Sequence, residues 1–333
     1  MCPLHLAKAR GIRHNILMSR ILIASGGTGG HIFPAVVFGK GLQENGDTVS
    51  WACGARKLEG EIYHSSGIEP VILPLSGSPM GTKSPAKILT RLLDVIRSLR
   101  RTWKYVKNFK PDRIYLFGGY ISFAPLIVAK MRGIPVTLHE QNTVAGRVTK
   151  IASKMGAEII TGWPVCEGIK NFTYTGIPVR EPVRIPRDEA LKILGVNVRD
   201  GSKIVGVTGG SLGSGPLSEI LKSAAKLCDE CEFVFLSAKE RHDDGNAHFI
   251  PPQWDMNPFY SACDVIVCRS GGSTLAEVFK WGIPAITIPW PGAMDNHQMK
   301  NAEEFVKLAG NGRIFDEKDS PENLALVIRN MTS

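Results

Sequence analysis

Two glycine-rich stretches carry the residue types best suited to chemistry. The first, Gly26-Gly27-Thr28-Gly29-Gly30-His31, follows the apolar run ILIA (21–24). Glycines after a buried strand let backbone N–H groups approach an anion, and a following helix start adds roughly half a positive charge. His31 is the candidate general base for a hydroxyl, since an unperturbed imidazole titrates near ~6.5. The competing readings are a histidine that only orders the loop, or one that binds a diphosphate. Glu140, in HEQN (139–142), is the reserve base or else a brace for its own loop. The second stretch, Arg269-Ser270-Gly271-Gly272-Ser273-Thr274, lies between strand-like DVIVC and helical STLAEVFKW, where amides and hydroxyls can meet a diphosphate. Glu277, expected within the first turn of that helix, is either an acceptor for both ribose hydroxyls or a carboxylate complementing the helix dipole. The polar run Asp295-Asn296-His297-Gln298 suits sugar hydroxyls, or is a solvated loop.

Several common chemistries are disfavoured. The first loop reads GGTGGH rather than GxGxxG, and TVSWAC (48–53) ends on Cys53 where a dinucleotide site wants an acid. Neither loop has the Lys-Ser/Thr pair of a P-loop. No Asp-x-Asp triplet occurs, so a metal-assisted leaving group is not expected, and no cofactor is implied. Cys228 and Cys231 have CxxC spacing, but Cys263 and Cys268 bracket a strand and point to opposite faces, which argues for reduced structural thiols over zinc.

The elements that must hold these loops repeat. Strand ILIA, its glycine loop and a helix from Pro34 to Asn45 are followed by strand TVSWAC, strand-like VILPL and a long helix over 85–108. RIYLFGGY, helical ISFAPLIVAKMR and strand GIPVTLHEQN complete the first half. The plan restarts with strand KIVGVT (203–208), the loop GGSLGS, helix 215–228, strands EFVFLS and DVIVC, a helix, and the strand in GIPAITIPWP. Alternating buried strands and helices describe parallel sheets covered on both faces. The two GIP turns, at 133–135 and 282–284, mark equivalent places in two similar α/β domains. We expect an N-terminal tail over 1–19, residues 1–17 being either a true tail or a misplaced start, a first domain over 20–178 and a second over 179–333. The hinge lies in proline-rich TGIPVREPVRIP (175–186) and the site in the cleft at the strand C-termini.

At 333 residues, with 43% hydrophobic and 21% charged residues, the chain has the composition of a folded two-domain protein rather than a disordered one. No apolar run reaches the ~18 residues that span a bilayer, and a cytoplasmic protein is expected. The formal charge of +9 is concentrated: ten Lys/Arg face only Asp94 and Asp112 between Lys83 and Arg113. Within that segment Leu89, Leu93, Ile96 and Leu99 recur on one helical face, continued by Trp103, with Arg97, Arg100 and Arg101 beside or opposite. A basic amphipathic helix suits an anionic membrane surface; the alternative is that the stripe packs on the sheet.

GGTGGH (26–31), GGY (118–120), HEQN (139–142), GIPVR (176–180), GGSLGS (209–214), RSGGSTLAE (269–277) and DNHQMKNA (295–302) follow one another at the spacing of one family. From about residue 20 to 330 the chain resembles the MurG-type N-acetylglucosaminyltransferases of peptidoglycan synthesis. The resemblance implies a GT-B fold, two Rossmann-like domains facing a cleft. It implies inverting, metal-independent transfer of GlcNAc from UDP-GlcNAc to the MurNAc O4 of undecaprenyl-linked lipid I, giving lipid II and UDP. It also implies work at the cytoplasmic face of the bacterial plasma membrane, with no nucleic-acid partner. By likeness the donor pocket uses Thr28, Gly29, Gly30, Asn142, Arg180, Ser211, Gln253, Gly272, Ser273, Thr274, Leu275, Ala276, Glu277 and Gln298. Glu277 would hold the ribose and Gln298 the GlcNAc hydroxyls. Only Gln253 carries over from the uracil segment, which here reads PQWDM. Gly26, Gly27, His31 and Tyr120 fall on the acceptor side. Two features depart from the family: 237–256 is short, and relatives generally continue beyond the position of Ser333 with a helix or two that return to the first domain. The rival functions are a related transferase acting on another lipid, such as a diacylglycerol, a nucleotide-sugar binder without turnover, and a dehydrogenase.

Overall fold

The computed structural model describes residues 18–77, 84–209, 215–236 and 240–333. The chain divides into two compact units, Met1–Val179 and Arg180–Ser333, and the division falls within the proline-rich segment 175–186, which holds neither helix nor strand.

The first unit runs β1 (Arg20–Ala24), α1 (Gly29–Glu44), β2 (Thr48–Cys53), α2 (Lys57–Ser65), β3 (Val71–Ile72), α3 (Pro85–Phe109) and β4 (Arg113–Leu116). A short 3-10 turn (Tyr120–Ser122) then leads into α4 (Phe123–Met131), β5 (Val136–Glu140), α5 (Arg147–Lys154), β6 (Glu158–Thr161) and β7 (Thr173–Tyr174). Its sheet has the order β3-β2-β1-β4-β5-β6-β7, with every neighbouring pair parallel. Parallel strands covered on both faces are apolar throughout, and β1 accordingly buries every residue after Arg20. One face carries Leu22, Leu116, Leu126 and Leu138, and the other Ile23, Ile32, Val36 and Trp51.

The second unit runs α6 (Arg187–Leu194), β8 (Lys203–Thr208), α7 (Gly215–Leu227), β9 (Cys231–Leu236), β10 (His242–Asp244), β11 (Ala247–Ile250), α8 (Asn257–Ala262) and β12 (Val265–Cys268). It continues with α9 (Gly272–Trp281), β13 (Ala285–Thr287), α10 (His297–Ala309), β14 (Gly312–Ile314) and α11 (Pro321–Thr332). The strand order β10-β11-β9-β8-β12-β13-β14 repeats the first plan, with strands wound outwards on either side of the opening strand except for β10, which adds antiparallel to the outer edge of β11. In each sheet the winding reverses beside that strand, between β1 and β4 and between β8 and β12. The loops that follow these strands are where ligands bind in open α/β sheets. The two GIP turns are equivalent in detail: Gly133 and Gly282 each take a left-handed φ, 66° and 68°, ending α4 and α9 before β5 and β13.

Some elements differ from expectation. α1 begins at Gly29 rather than Pro34, because Thr28 supplies an extended N-cap backbone and the glycines complete a first turn that their propensity does not announce. Pro74 stops VILPL after two residues of strand. The segment 237–256 contains an antiparallel hairpin, β10–β11, turning at Gly245-Asn246. The CxxC pair is buried beneath α11: Cys228 Sγ points to the Ala325 carbonyl and Cys231 Sγ to Thr332 Oγ1. Burial pushes the Cys228 thiol up to about 11 and Cys268 to about 12, so both stay protonated and inert. Among the described residues no group of three His, Cys, Asp or Glu is placed to hold a metal.

Candidate active site

In the first unit the C-terminal ends of β1, β4 and β5 lie side by side and bring three motifs together. GGY packs directly on GGTGGH. Gly118 and Gly119 have φ of 75° and 71°; a Cβ on Gly118 would sit 3.3 Å from His31 Cε1, and one on Gly119 only 2.8 Å from the Gly26 carbonyl oxygen. His31, in the first turn of α1, is half-buried, with Nδ1 2.7 Å from Gln141 Oε1. Gln141 Nε2 in turn lies 3.1 Å from His139 Nδ1 and 3.0 Å from the His139 carbonyl oxygen, and His139 Nε2 lies 2.9 Å from the Gly176 carbonyl oxygen. Burial holds His139 down at about 4.

Two expectations for this loop change. Gly27 N–H donates to Glu59 Oε1 at 2.7 Å, and the Tyr120 hydroxyl donates to the same oxygen, so neither donor is turned to an acceptor substrate. Glu59 is fully buried, so the Gly27 N–H is already taken up within the protein. Glu140 braces its own loop. Its Oε1 accepts from the backbone N–H and side-chain Nδ2 of Asn142 at 3.1 and 3.2 Å, and its Oε2 from Gly146 N–H at 2.9 Å and Thr149 Oγ1 at 2.5 Å. Four hydrogen bonds saturate the carboxylate, orient Asn142 and start α5.

In the second unit β12 ends at Cys268 and the RSGG loop leads into α9, with Gly271 as N-cap. Gly272, Ser273 and Thr274 form its first turn. Leu275 is buried in the core and has only its backbone to offer, while Ala276 is half-buried. Arg269 does not face a ligand: buried, it forms a two-pronged pair with Glu317 at 2.8 and 2.9 Å and donates to the Ile288 carbonyl. Glu277 lies in the second turn of α9, not the first, which removes the dipole explanation, since that effect fades beyond the first turn. Its Oε2 accepts from the Tyr260 hydroxyl at 3.0 Å. Burial raises its carboxyl above the usual range, opposed by Tyr260 and by the positive charge of Arg180. Arg180 donates to the Trp254 carbonyl, so Arg180, Trp254, Tyr260 and Glu277 share one neighbourhood. Gln253 folds back on the Pro251 carbonyl at 2.7 Å. Gln298 Oε1 accepts from Trp290 N–H at 2.9 Å, and Asn301 Nδ2 donates to the Ser270 carbonyl at 3.0 Å, tying the DNHQMKNA helix to both neighbouring loops. Asp295 and Asn296 are both left-handed, at φ 53° and 54°, a strained pair at the tip of the polar run. Ser211 lies outside the described residues.

Helix α3 resolves into two faces. Leu89, Leu93 and Ile96 are exposed, at 61%, 45% and 46%, and Leu92 joins them at 48%. Leu99 leaves the expected stripe and packs on the core with Val95 and Val106. Trp103 is exposed beneath the Arg132 guanidinium, 4.8 Å from its ring. Arg97, Arg100 and Arg101 are exposed, Arg97 pairing with Asp94 at 2.9 Å. Among the described residues no helix is long and apolar enough to cross a membrane.

Glu59, Gln141, Tyr260 and Asn301 were not singled out from the sequence. Gln141 and Asn301 stand inside motifs that were, whereas nothing local marks Glu59 or Tyr260, whose partners are 32 and 17 residues away.

Residues 21–161 match the glycosyltransferase family 28 N-terminal domain and 204–333 its C-terminal domain. A UDP-N-acetylglucosamine–N-acetylmuramyl-(pentapeptide) pyrophosphoryl-undecaprenol N-acetylglucosamine transferase of Dechloromonas aromatica is 32% identical, covering 92% of this chain and 89% of that one. One of the same name from Shewanella sediminis is 30% identical over 87% and 82%. Among solved structures, Acinetobacter baumannii MurG superposes with a TM-score of 0.70 at 25% identity, covering 95% of this chain and 91% of that one. A kitacinnamycin glycosyltransferase, at 0.69 and 16% over the same shares, has the same fold. The paired Rossmann-like units are those of the GT-B architecture. With both units matched in order along nearly the whole length of such relatives, the chain belongs to glycosyltransferase family 28, among its UDP-N-acetylglucosamine–N-acetylmuramyl-(pentapeptide) pyrophosphoryl-undecaprenol N-acetylglucosamine transferases.

Proposed function

We propose that this chain transfers GlcNAc from UDP-GlcNAc to the MurNAc O4 of undecaprenyl-pyrophosphoryl-MurNAc-pentapeptide, forming lipid II and UDP. The observation that carries the reading is the match of both units, over 92% and 87% of the chain, to transferases of that name. The acceptor O4 attacks the anomeric carbon from the face opposite UDP. The bond from that carbon to the β-phosphate oxygen breaks, and UDP leaves with the electron pair. The hydroxyl proton passes to His31 Nε2, and configuration inverts. In this reading the departing charge is met by Arg180 and by the amides at the start of α9, acting as fixed dipoles. Glu277, with Oε2 held by Tyr260, offers Oε1 to the ribose hydroxyls. By likeness to the family, Gln298 and Asn142 are assigned to the sugar, Gln253 to the uracil, and Thr28, Gly29 and Gly30 to a phosphate. The first domain takes the lipid and the second the nucleotide sugar.

The exposed Leu89, Leu92, Leu93 and Ile96, flanked by Arg100 and Arg101, support a peripheral seat on the anionic cytoplasmic leaflet. The reading is tested by supplying UDP-GlcNAc with a lipid I analogue, a diacylglycerol and no acceptor in parallel. GlcNAc transfer and UDP release with the lipid I analogue alone are expected. Transfer to the diacylglycerol, or binding without release, overturns it.

A further inference from the structure

We propose that Gln141 is the positioning residue that fixes the tautomer of His31, putting the ring proton on Nδ1 and the lone pair on Nε2. The order of donors is set from the Gly176 carbonyl oxygen, which can only accept. His139 Nε2, 2.9 Å away, therefore carries that ring's proton, and Nδ1 is left as an acceptor. Burial keeps His139 neutral at ordinary pH, and Phe117 stacked on the ring at 5.4 Å holds its plane. One end of the Gln141 amide meets two acceptors at once, His139 Nδ1 at 3.1 Å and the His139 carbonyl oxygen at 3.0 Å. That end must be the NH2, since a flipped amide would set its oxygen against both lone pairs. Trp163 Nε1–H, bonded to the Gln141 carbonyl at 3.0 Å, fixes the backbone beneath. Gln141 Oε1 then faces His31, and Nδ1 at 2.7 Å is obliged to donate. In the neutral ring the remaining nitrogen, Nε2, is bare. Gln141 is 2% exposed, so its amide is held by these protein partners rather than by bulk solvent.

The tautomer stands on these contacts alone; its catalytic consequence rests on His31 being the base. The experiment is a long-range proton–nitrogen correlation spectrum of the full-length protein labelled with nitrogen-15 histidine, which separates protonated from bare ring nitrogens. His31→Asn identifies the His31 signals by their loss. The wild-type protein is expected to show His31 protonated on Nδ1. Gln141→Leu is expected to return it to the Nε2–H form favoured by a free imidazole. That variant should also lower kcat roughly 100-fold while KM for UDP-GlcNAc stays within about twofold. A wild-type proton on Nε2 overturns the proposal, and that spectrum decides even if Gln141→Leu fails to fold. So does a tautomer unmoved in a folded Gln141→Leu protein. If the tautomer moves and turnover does not, the relay stands and His31 is not the base.

Discussion

A base needs a lone pair free of other donors, and the two candidates separate on that requirement. Glu140 has its carboxylate enclosed by four donors, while His31 stands half-buried in the first turn of α1 with one ring nitrogen bonded to Gln141. His31→Ala is expected to lower kcat by roughly 10²–10⁴ with UDP-GlcNAc affinity intact, measured by turnover and by isothermal titration. His139 has a second consequence, for stability. The unfolded chain binds its proton near 6.5 and the folded one only near 4, so its contribution is complete above 6.5 and erodes as the pH falls towards 4. The loss approaches about 3 kcal/mol at the acid end. Urea unfolding across that range should show it, and His139→Gln should flatten the slope. The motif HEQN marked this cluster in the sequence, but which member acts and which braces depended on hydrogen bonds that spacing does not encode.

Short elements constrain the site through backbone shape. Gly119 has both a left-handed φ and a carbonyl oxygen where a Cβ would go, so Gly119→Ala should destabilise the protein by about 1–3 kcal/mol. Turnover should fall with it, as the loop lifts from Gly26; urea midpoints and activity report the two effects. Helix α3 acts through its surface. Reversing Arg97, Arg100 and Arg101 to Glu is expected to weaken partition onto anionic vesicles by at least roughly 100-fold, at about 1 kcal/mol per charge. Turnover of a water-soluble acceptor should be retained, and added salt should mimic the mutant by screening. The amphipathic period of α3 is plain in the sequence, yet it places Leu99 on the exposed stripe, where the structure does not. Period alone does not say where a helix turns inwards, and the sheet beneath takes Leu99 with Val95 and Val106. The β10–β11 hairpin did have a local signal, the Gly245-Asn246 turn between Asp244 and Ala247, in a segment whose polarity concealed it.

The molecule repeats one plan twice, and each sheet reverses its winding beside its opening strand, which fixes where a ligand meets it. If Arg180 and the start of α9 take the leaving charge as proposed, turnover persists in excess EDTA; loss restored by magnesium would contradict this, in the same UDP-release assay. The sequence by itself determined the two α/β units, the glycine loops, the repeated GIP turns and the family. All of these are written in local apolar runs, glycines and motif order, and each depends only on residues close together in the chain. Tertiary structure alone decided that Glu59 closes the Gly27 amide, that Arg269 serves Glu317, and that Glu277 rests on Tyr260. It also decided that Gly176 reaches His31 through His139 and Gln141. Apart from His139 and Gln141, which are two residues apart, those pairs join strands and loops distant in sequence, and burial strengthens each bond while leaving no trace in the spacing of either partner.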